Sequence, residues 1–222
     1  SSYMAMIRNF KRYGWLILYL FGASPALCKS FLPKSLIEIP EYDKNTLYQP
    51  YGTSLRMSDL GYTSEVQSNI NISLNNLDEY VKNLRDAIST PESTYNNYGL
   101  LRDGEYQQLS LNKLQIENEY YSSIRPKRVV GSGERPINVL KKKGIEYVEV
   151  RCMDNNPFLN SSIDKETAYF IEAFLMTSLV DEDTPCLSEE IVEIQNNWHS
   201  VVKEGRKPNL NLKIKGESMP LK

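Results

Sequence analysis

The sequence has almost no histidine, little cysteine, no large excess of one charge and no long unbroken apolar run. Its only histidine is His199, and its three cysteines, Cys28, Cys152 and Cys186, stand far apart. No CxxC or Cys/His spacing occurs, which argues against a zinc framework. An odd, sparse set of cysteines reads as reduced thiols, with a single disulfide as the alternative. The 26 basic and 28 acidic residues leave a net charge of −2, so no bulk field favours nucleic acid. The apolar stretch over residues 15–32 is interrupted by Pro25 and polar residues and ended by Lys29. A spanning helix needs about 20 predominantly apolar residues, so a buried helix followed by a loop is expected instead. No clean targeting segment stands out. The expectation is a cytoplasmic protein with neither membrane nor nucleic acid as partner.

What is present is ordinary for a globular chain. The 222 residues are 41% hydrophobic and 24% charged, enough to bury a core as one large domain or two small ones. Fifteen tyrosines bias the composition. Apolar spacing predicts helices over residues 3–20, 74–88, 165–179 and 188–202. Asn75 or Asn76 is expected to cap the second of these and Ser188 the fourth, with Glu189 or Glu190 in its first turn. Gly22, Ala23, Ser24 and Pro25 should turn the first helix into a loop, and residues 33–54 read as irregular. Asp103-Gly104 is a strong turn signal. Strands are expected over residues 114–123 and 145–151. With helices and strands not arranged as regular βαβ units, the fold class is α+β.

The 145–151 segment is the most informative. Side chains alternate along a strand, so Ile145, Tyr147, Glu149 and Arg151 share one face. Glu146, Val148, Val150 and Cys152 share the other, mainly apolar, face. A carboxylate suits Mg²⁺ and a guanidinium suits phosphate oxygens. The plain alternative is a cross-strand ion pair. The basic cluster Arg125, Lys127 and Arg128 precedes a Gly131-Ser132-Gly133 loop. It reads as a solvated charge run, with nucleotide phosphate contact as the sharper alternative. Short basic runs in a chain of negative net charge make poor nucleic-acid binders.

Six runs carry a resemblance. They begin at Tyr19 (YLFGASPA), Thr53 (TSLRMSDLGY), Leu114 (LQIENE), Ile124 (IRPKR), Gly144 (GIEYVEVR) and Glu204 (EGRKP). Together, and in order, they resemble bacterial glutamate–cysteine ligase of type 1, and the resemblance covers nearly the whole chain. It implies a glutamine-synthetase-like antiparallel sheet with packed helices, and ligation of glutamate to cysteine through a γ-glutamyl phosphate. ATP would be the phosphoryl donor, Mg²⁺ the metal, and glutathione synthesis the context.

It further implies Glu149 as a metal ligand and Arg151 as the catalytic contact to phosphate and intermediate. Arg56 would engage a substrate carboxylate, and Tyr62 and Tyr121 would line the cysteine pocket, unless they are core tyrosines. Members of the family are longer. The expectation is therefore a single partial catalytic domain over 1–222 with an incomplete sheet. It would lack the family's N-terminal and C-terminal portions and their acidic ligands. Alone it would be inactive, or a remnant serving as a partner-binding piece, and its partner would be the missing remainder.

Overall fold

The computed structural model describes residues 2–32, 39–61, 65–68 and 70–221. Tyr62, expected in the substrate pocket, lies outside them. The first predicted helix is two. α1 (Ser2–Tyr13) and α2 (Trp15–Phe21) meet at Gly14. A Cβ on Gly14 would come within 2.8 Å of the Phe10 carbonyl and 3.4 Å of the Trp198 ring. α1 runs through the core, with Met4, Ile7 and Phe10 fully buried. α2 ends at Gly22, whose N–H donates to the Leu18 carbonyl, and buries Ile17 and Leu18.

β1 (Ala26–Cys28) pairs antiparallel with β2 (Thr46–Tyr48), which gives order to part of the span read as irregular. α3 (Glu65–Ser68) is a single turn. α4 (Leu77–Ser89) begins as expected, with the Asn76 side chain accepting from the Glu79 N–H. β3 (Leu101–Arg102) and β4 (Glu105–Tyr106) form the hairpin signalled by Asp103-Gly104. Both turn residues have positive φ, 54° and 85°, the conformation that Asp and Gly tolerate best.

The strand expected over residues 114–123 is absent. That segment is coil with a 3₁₀ turn at Glu117–Glu119. The Glu119 carboxylate accepts the Gln115 N–H at 2.6 Å, and the Glu119 N–H donates to the Ile116 carbonyl. The chain thus satisfies these groups locally instead of across a ladder. The strand lies just beyond, as β5 (Ile124–Lys127).

α5 (Pro136–Lys143) carries the three lysines in its last turn, where cations suit the helix dipole. It leads to β6 (Tyr147–Val150). β5 and β6 pair antiparallel, with Arg125 opposite Glu149 and Lys127 opposite Tyr147. α6 (Lys165–Val180) packs along α1 and is capped by Asp164. Ile171, Phe174 and Leu175 pack against the core as the spacing implied, but Ala168 is exposed. α7 (Ser188–Glu204) opens at Leu187 with no side-chain cap, so Ser188 is not the N-cap. Glu190 is instead held by Arg12 at 2.6 Å. β7 (Asn211–Ile214) and β8 (Glu217–Pro220) close the described chain as a hairpin.

The fold is α+β. Its strands form four separate antiparallel pairs among the described residues. The β5–β6 ribbon lies on α1, with Val148 and Val150 packed on the core and Cys152 fully buried. This is the apolar face the alternation predicted. Its other face carries the candidate site.

Candidate functional site

The register of β5 against β6 builds the first half of the site. Residues directly opposite in an antiparallel pair share a face. Arg125 therefore meets Glu149, with its Nη2 and Nε at 2.8 and 3.1 Å from the same oxygen, Oε2. The displaced 114–123 segment folds over this face, and its Asn118 and Tyr120 carbonyls accept the Arg125 Nη1 at 3.3 and 3.0 Å. Arg125 is consequently 8% exposed. It is neither a solvated charge nor an open phosphate contact in this arrangement. It holds Glu149.

Burial pushes the Glu149 carboxyl up. Hydrogen bonds and charge from Arg125, with Lys127 and Arg151 nearby, outweigh that and hold its pKa below the usual 4.5. Arg128 is likewise engaged, its Nε donating to the Gly144 carbonyl at 2.6 Å and its Nη1 lying 3.6 Å from Glu146. Lys127 is half-buried opposite Tyr147.

The second half forms where β6 ends. The Arg151 guanidinium stacks over the Tyr121 ring at 4.8 Å, and the Tyr121 hydroxyl donates to the Arg151 carbonyl at 3.2 Å. Burial raises the Tyr121 pKa, partly opposed by the charges of Arg56 and Arg151. Tyr121 is half-buried and packs against the core. Arg56 sits in a 3₁₀ turn after Thr53-Ser54. That turn runs beside Ser24, which exchanges backbone bonds with Thr53 and Leu55. The Arg56 Nη2 donates to the Met153 carbonyl at 2.6 Å, and both Nη atoms lie 3.4 Å from the Arg151 carbonyl. Its Nε donates to the Asp154 carboxylate at 2.7 Å.

Asp154 was invisible in the sequence. It lies three residues past Arg151 in a polar loop, and only its buried side chain, 2% exposed, marks it out. Arg56, Tyr121, Glu149 and Arg151 are therefore gathered around one end of the β5–β6 ribbon.

Beside them lies a cavity of about 830 Å³, with Tyr121, Met57, Lys11, Ser123, Trp198 and His199 in its wall. The Lys11 Nζ is 3.3 Å from the Ser123 Oγ and 5.9 Å from the centre of the Trp198 ring. Burial lowers the Lys11 pKa.

The described residues do not fit a Mg²⁺ ion by themselves. Glu149 offers one oxygen, Oε1, beyond the one Arg125 holds, and no group of three His, Cys, Asp or Glu side chains gathers among the described residues. Mg²⁺ demands near-octahedral oxygen coordination. The three cysteines are separate free thiols, and no helix among the described residues is long and apolar enough to cross a membrane.

Two guanidinium groups and a half-buried tyrosine around a strand end are residue types whose donors suit anionic oxygens, carboxylate or phosphate. The comparisons with known proteins narrow that class. The family model described as glutamate-cysteine ligase matches residues 1–201, and the chain belongs to this family. A glutamate–cysteine ligase of Azotobacter vinelandii is 54% identical over the whole chain, and one of Pseudomonas paraeruginosa is 50% identical. The chain spans 42% of the length of each.

A crystal structure of glutamate–cysteine ligase from Francisella tularensis in complex with AMP superposes with a TM-score of 0.93 at 39% identity. That match covers 99% of this chain and 44% of that one. A bifunctional glutathione synthetase from Pasteurella multocida superposes at 0.66 with 26% identity, covering 96% of this chain and 22% of its own. The fold is the glutamine-synthetase-like one expected, with its sheet incomplete.

Proposed function

We propose that this chain is the substrate-facing part of an ATP-dependent ligase that joins the γ-carboxylate of glutamate to the amine of cysteine. The observation that carries the reading is the convergence of Arg56, Tyr121, Glu149 and Arg151 at one ribbon end, in a chain of this family. ATP would phosphorylate the γ-carboxylate, releasing ADP. The cysteine amine would then attack the acyl carbon, lose a proton and expel phosphate.

Arg151 suits the phosphoryl oxygens, because a planar fork can hold two at once. Its stacking on Tyr121 fixes the plane of that fork. Arg56 would take a substrate carboxylate, and Tyr121, in the cavity wall, would border the cysteine pocket together with Tyr62. Lys127 and Arg128 remain the proposed contacts to nucleotide phosphate, whereas Arg125 serves Glu149 instead.

Mg²⁺ is part of the proposal only with further carboxylates from the length that the relatives have beyond this chain. Glu149 Oε1 would be one ligand among several. The reading includes the cytoplasm as its place of action and glutathione synthesis as its context.

The test assays purified chain with ATP, Mg²⁺, glutamate and cysteine, following phosphate release and dipeptide together. The 222 residues alone are expected to form no dipeptide. The chain joined to the remaining length of the Azotobacter vinelandii relative is expected to show cysteine-dependent turnover. A joined protein that folds and forms no dipeptide would refute the ligase reading and favour a non-catalytic, partner-binding piece.

A further inference from the structure

We infer that Asp154 is a positioning residue for the substrate-binding arginine: its buried carboxylate fixes the Arg56 guanidinium by the Nε edge and ties that edge to the Gly22–Pro25 loop. The inference rests on the proposed role of Arg56 and adds a residue to it.

The geometry is complete on the Asp154 side. Its Oδ1 accepts the Arg56 Nε–H at 2.7 Å, and its Oδ2 accepts the Ala23 N–H at 2.9 Å and the Ser24 hydroxyl at 2.7 Å. A carboxylate with a 2% exposed side chain has to be paired, because a buried unpaired charge is strongly unfavourable. These three donors meet that need, and none of them is a solvent molecule. The loop is held in turn, since the Ser24 hydroxyl is 3.1 Å from the Ser54 hydroxyl and the Leu55 N–H donates to the Ser24 carbonyl at 2.7 Å. Asp154 therefore joins three segments distant in sequence: residues 23–24, residue 56, and the strand end at 151–154.

The direction of the clamp matters. Asp154 takes the Nε edge of Arg56, the Met153 carbonyl takes Nη2, and the Arg151 carbonyl lies against both Nη atoms. All three acceptors belong to the segment that carries Arg151. The orientation of the Arg56 plane is thus set relative to the Arg151 backbone, and both guanidinium groups come into the site in fixed relation. Arg56 has a side chain 28% exposed against 2% for Asp154. The carboxylate is the buried anchor, and the arginine is the more exposed partner on the site side.

Asparagine cannot replace it. One amide oxygen can serve either Arg56 or the loop, and the NH₂ group then faces a donor on the other side.

The test compares Asp154→Asn, Arg56→Lys and the double variant in the joined protein that carries ligase activity. Asp154→Asn is expected to raise the KM of the carboxylate substrate seated on Arg56 by on the order of 10- to 100-fold, with the KM for ATP held. The double variant should be no worse than Arg56→Lys alone. A fall in kcat with every KM moved alike, or additive losses in the double variant, would overturn the inference.

If the unmutated joined protein makes no dipeptide, the ligase reading fails separately. The positioning claim is then judged on the 222-residue chain by the NMR signal of the Arg56 Nε–H. Slow exchange of that proton, lost in Asp154→Asn while the remaining backbone spectrum persists, supports the claim. An unchanged Arg56 signal overturns it.

Discussion

Arg125→Met should cost the fold far more than Glu149→Gln, although the two residues form one ion pair. Arg125 is the buried partner, with a side chain 10% exposed, whereas Glu149 is 36% exposed. Removing the guanidinium breaks two charge-assisted bonds to Glu149 and two more to the Asn118 and Tyr120 carbonyls. Breaking a buried pair by deleting one partner costs about 3–5 kcal/mol, and solvent access to the stranded Glu149 argues for the lower end. Glu149→Gln keeps shape and a neutral hydrogen bond, so its cost should be about 1 kcal/mol.

For a chain of this length each kcal/mol moves the melting temperature by roughly 2–4 °C. Arg125→Met should therefore melt roughly 6–12 °C lower than the parent chain and Glu149→Gln only a few degrees lower. The pH dependence adds a second readout. Because the folded Glu149 pKa lies below 4.5, its stabilisation is present above that value and is lost as pH falls through the folded pKa. Arg125→Met should remove that part of the acid-side loss. The assays are thermal and urea unfolding followed by circular dichroism, at neutral pH and again below pH 4.5. Equal costs for the two variants, or an Arg125→Met curve that keeps the parent's full acid-side slope, would refute the reasoning.

Three further outcomes follow from other parts of the structure. Arg151→Lys in the joined, active protein should lower dipeptide formation by on the order of 10²-fold, since an ammonium cannot make two-point contact with phosphate or stack on Tyr121 in the same way; a rate equal to the parent's would make Arg151 structural. Lys11→Met should raise the urea midpoint at neutral pH. Burial depresses the Lys11 pKa below 10.5, so the charged form costs stability below the folded pKa, and that cost fades as pH climbs from there towards 10.5. A lower midpoint in the methionine variant would contradict this. Gly22→Ala should destabilise by about 1–3 kcal/mol, because a Cβ there would stand 2.5 Å from the Leu18 carbonyl oxygen and 2.8 Å from the Thr53 Cβ; a melting temperature equal to the parent's would show that the α2–loop junction can move aside.

The sequence by itself determined what depends on local periodicity and local chemistry. Alternation along residues 145–151 placed Glu149 and Arg151 on one face and Val148, Val150 and Cys152 on the core side, because a strand has no other way to direct its side chains. Asn76 as a cap and Asp103-Gly104 as a turn were legible for the same reason: each depends on a residue and its near neighbours. The order of six runs was enough to suggest the family, and the family model then matched residues 1–201.

Tertiary structure decided everything that needed register or a distant partner. Residues 114–123 alternate well enough for a strand, yet they form none among the described residues, and the Glu119 carboxylate closes them into a turn. That displacement is why Arg125 is buried against Glu149 and two carbonyls instead of standing in solvent. Ser188 is a good capping residue by type, but the chain enters α7 one residue earlier, at Leu187. Asp154 had no signal in its surroundings at all. Its three donors come from residues 23, 24 and 56, and only folding brings them to one carboxylate. A strand's faces are fixed by its own bonds, whereas the partner of a buried charge is fixed by the rest of the molecule.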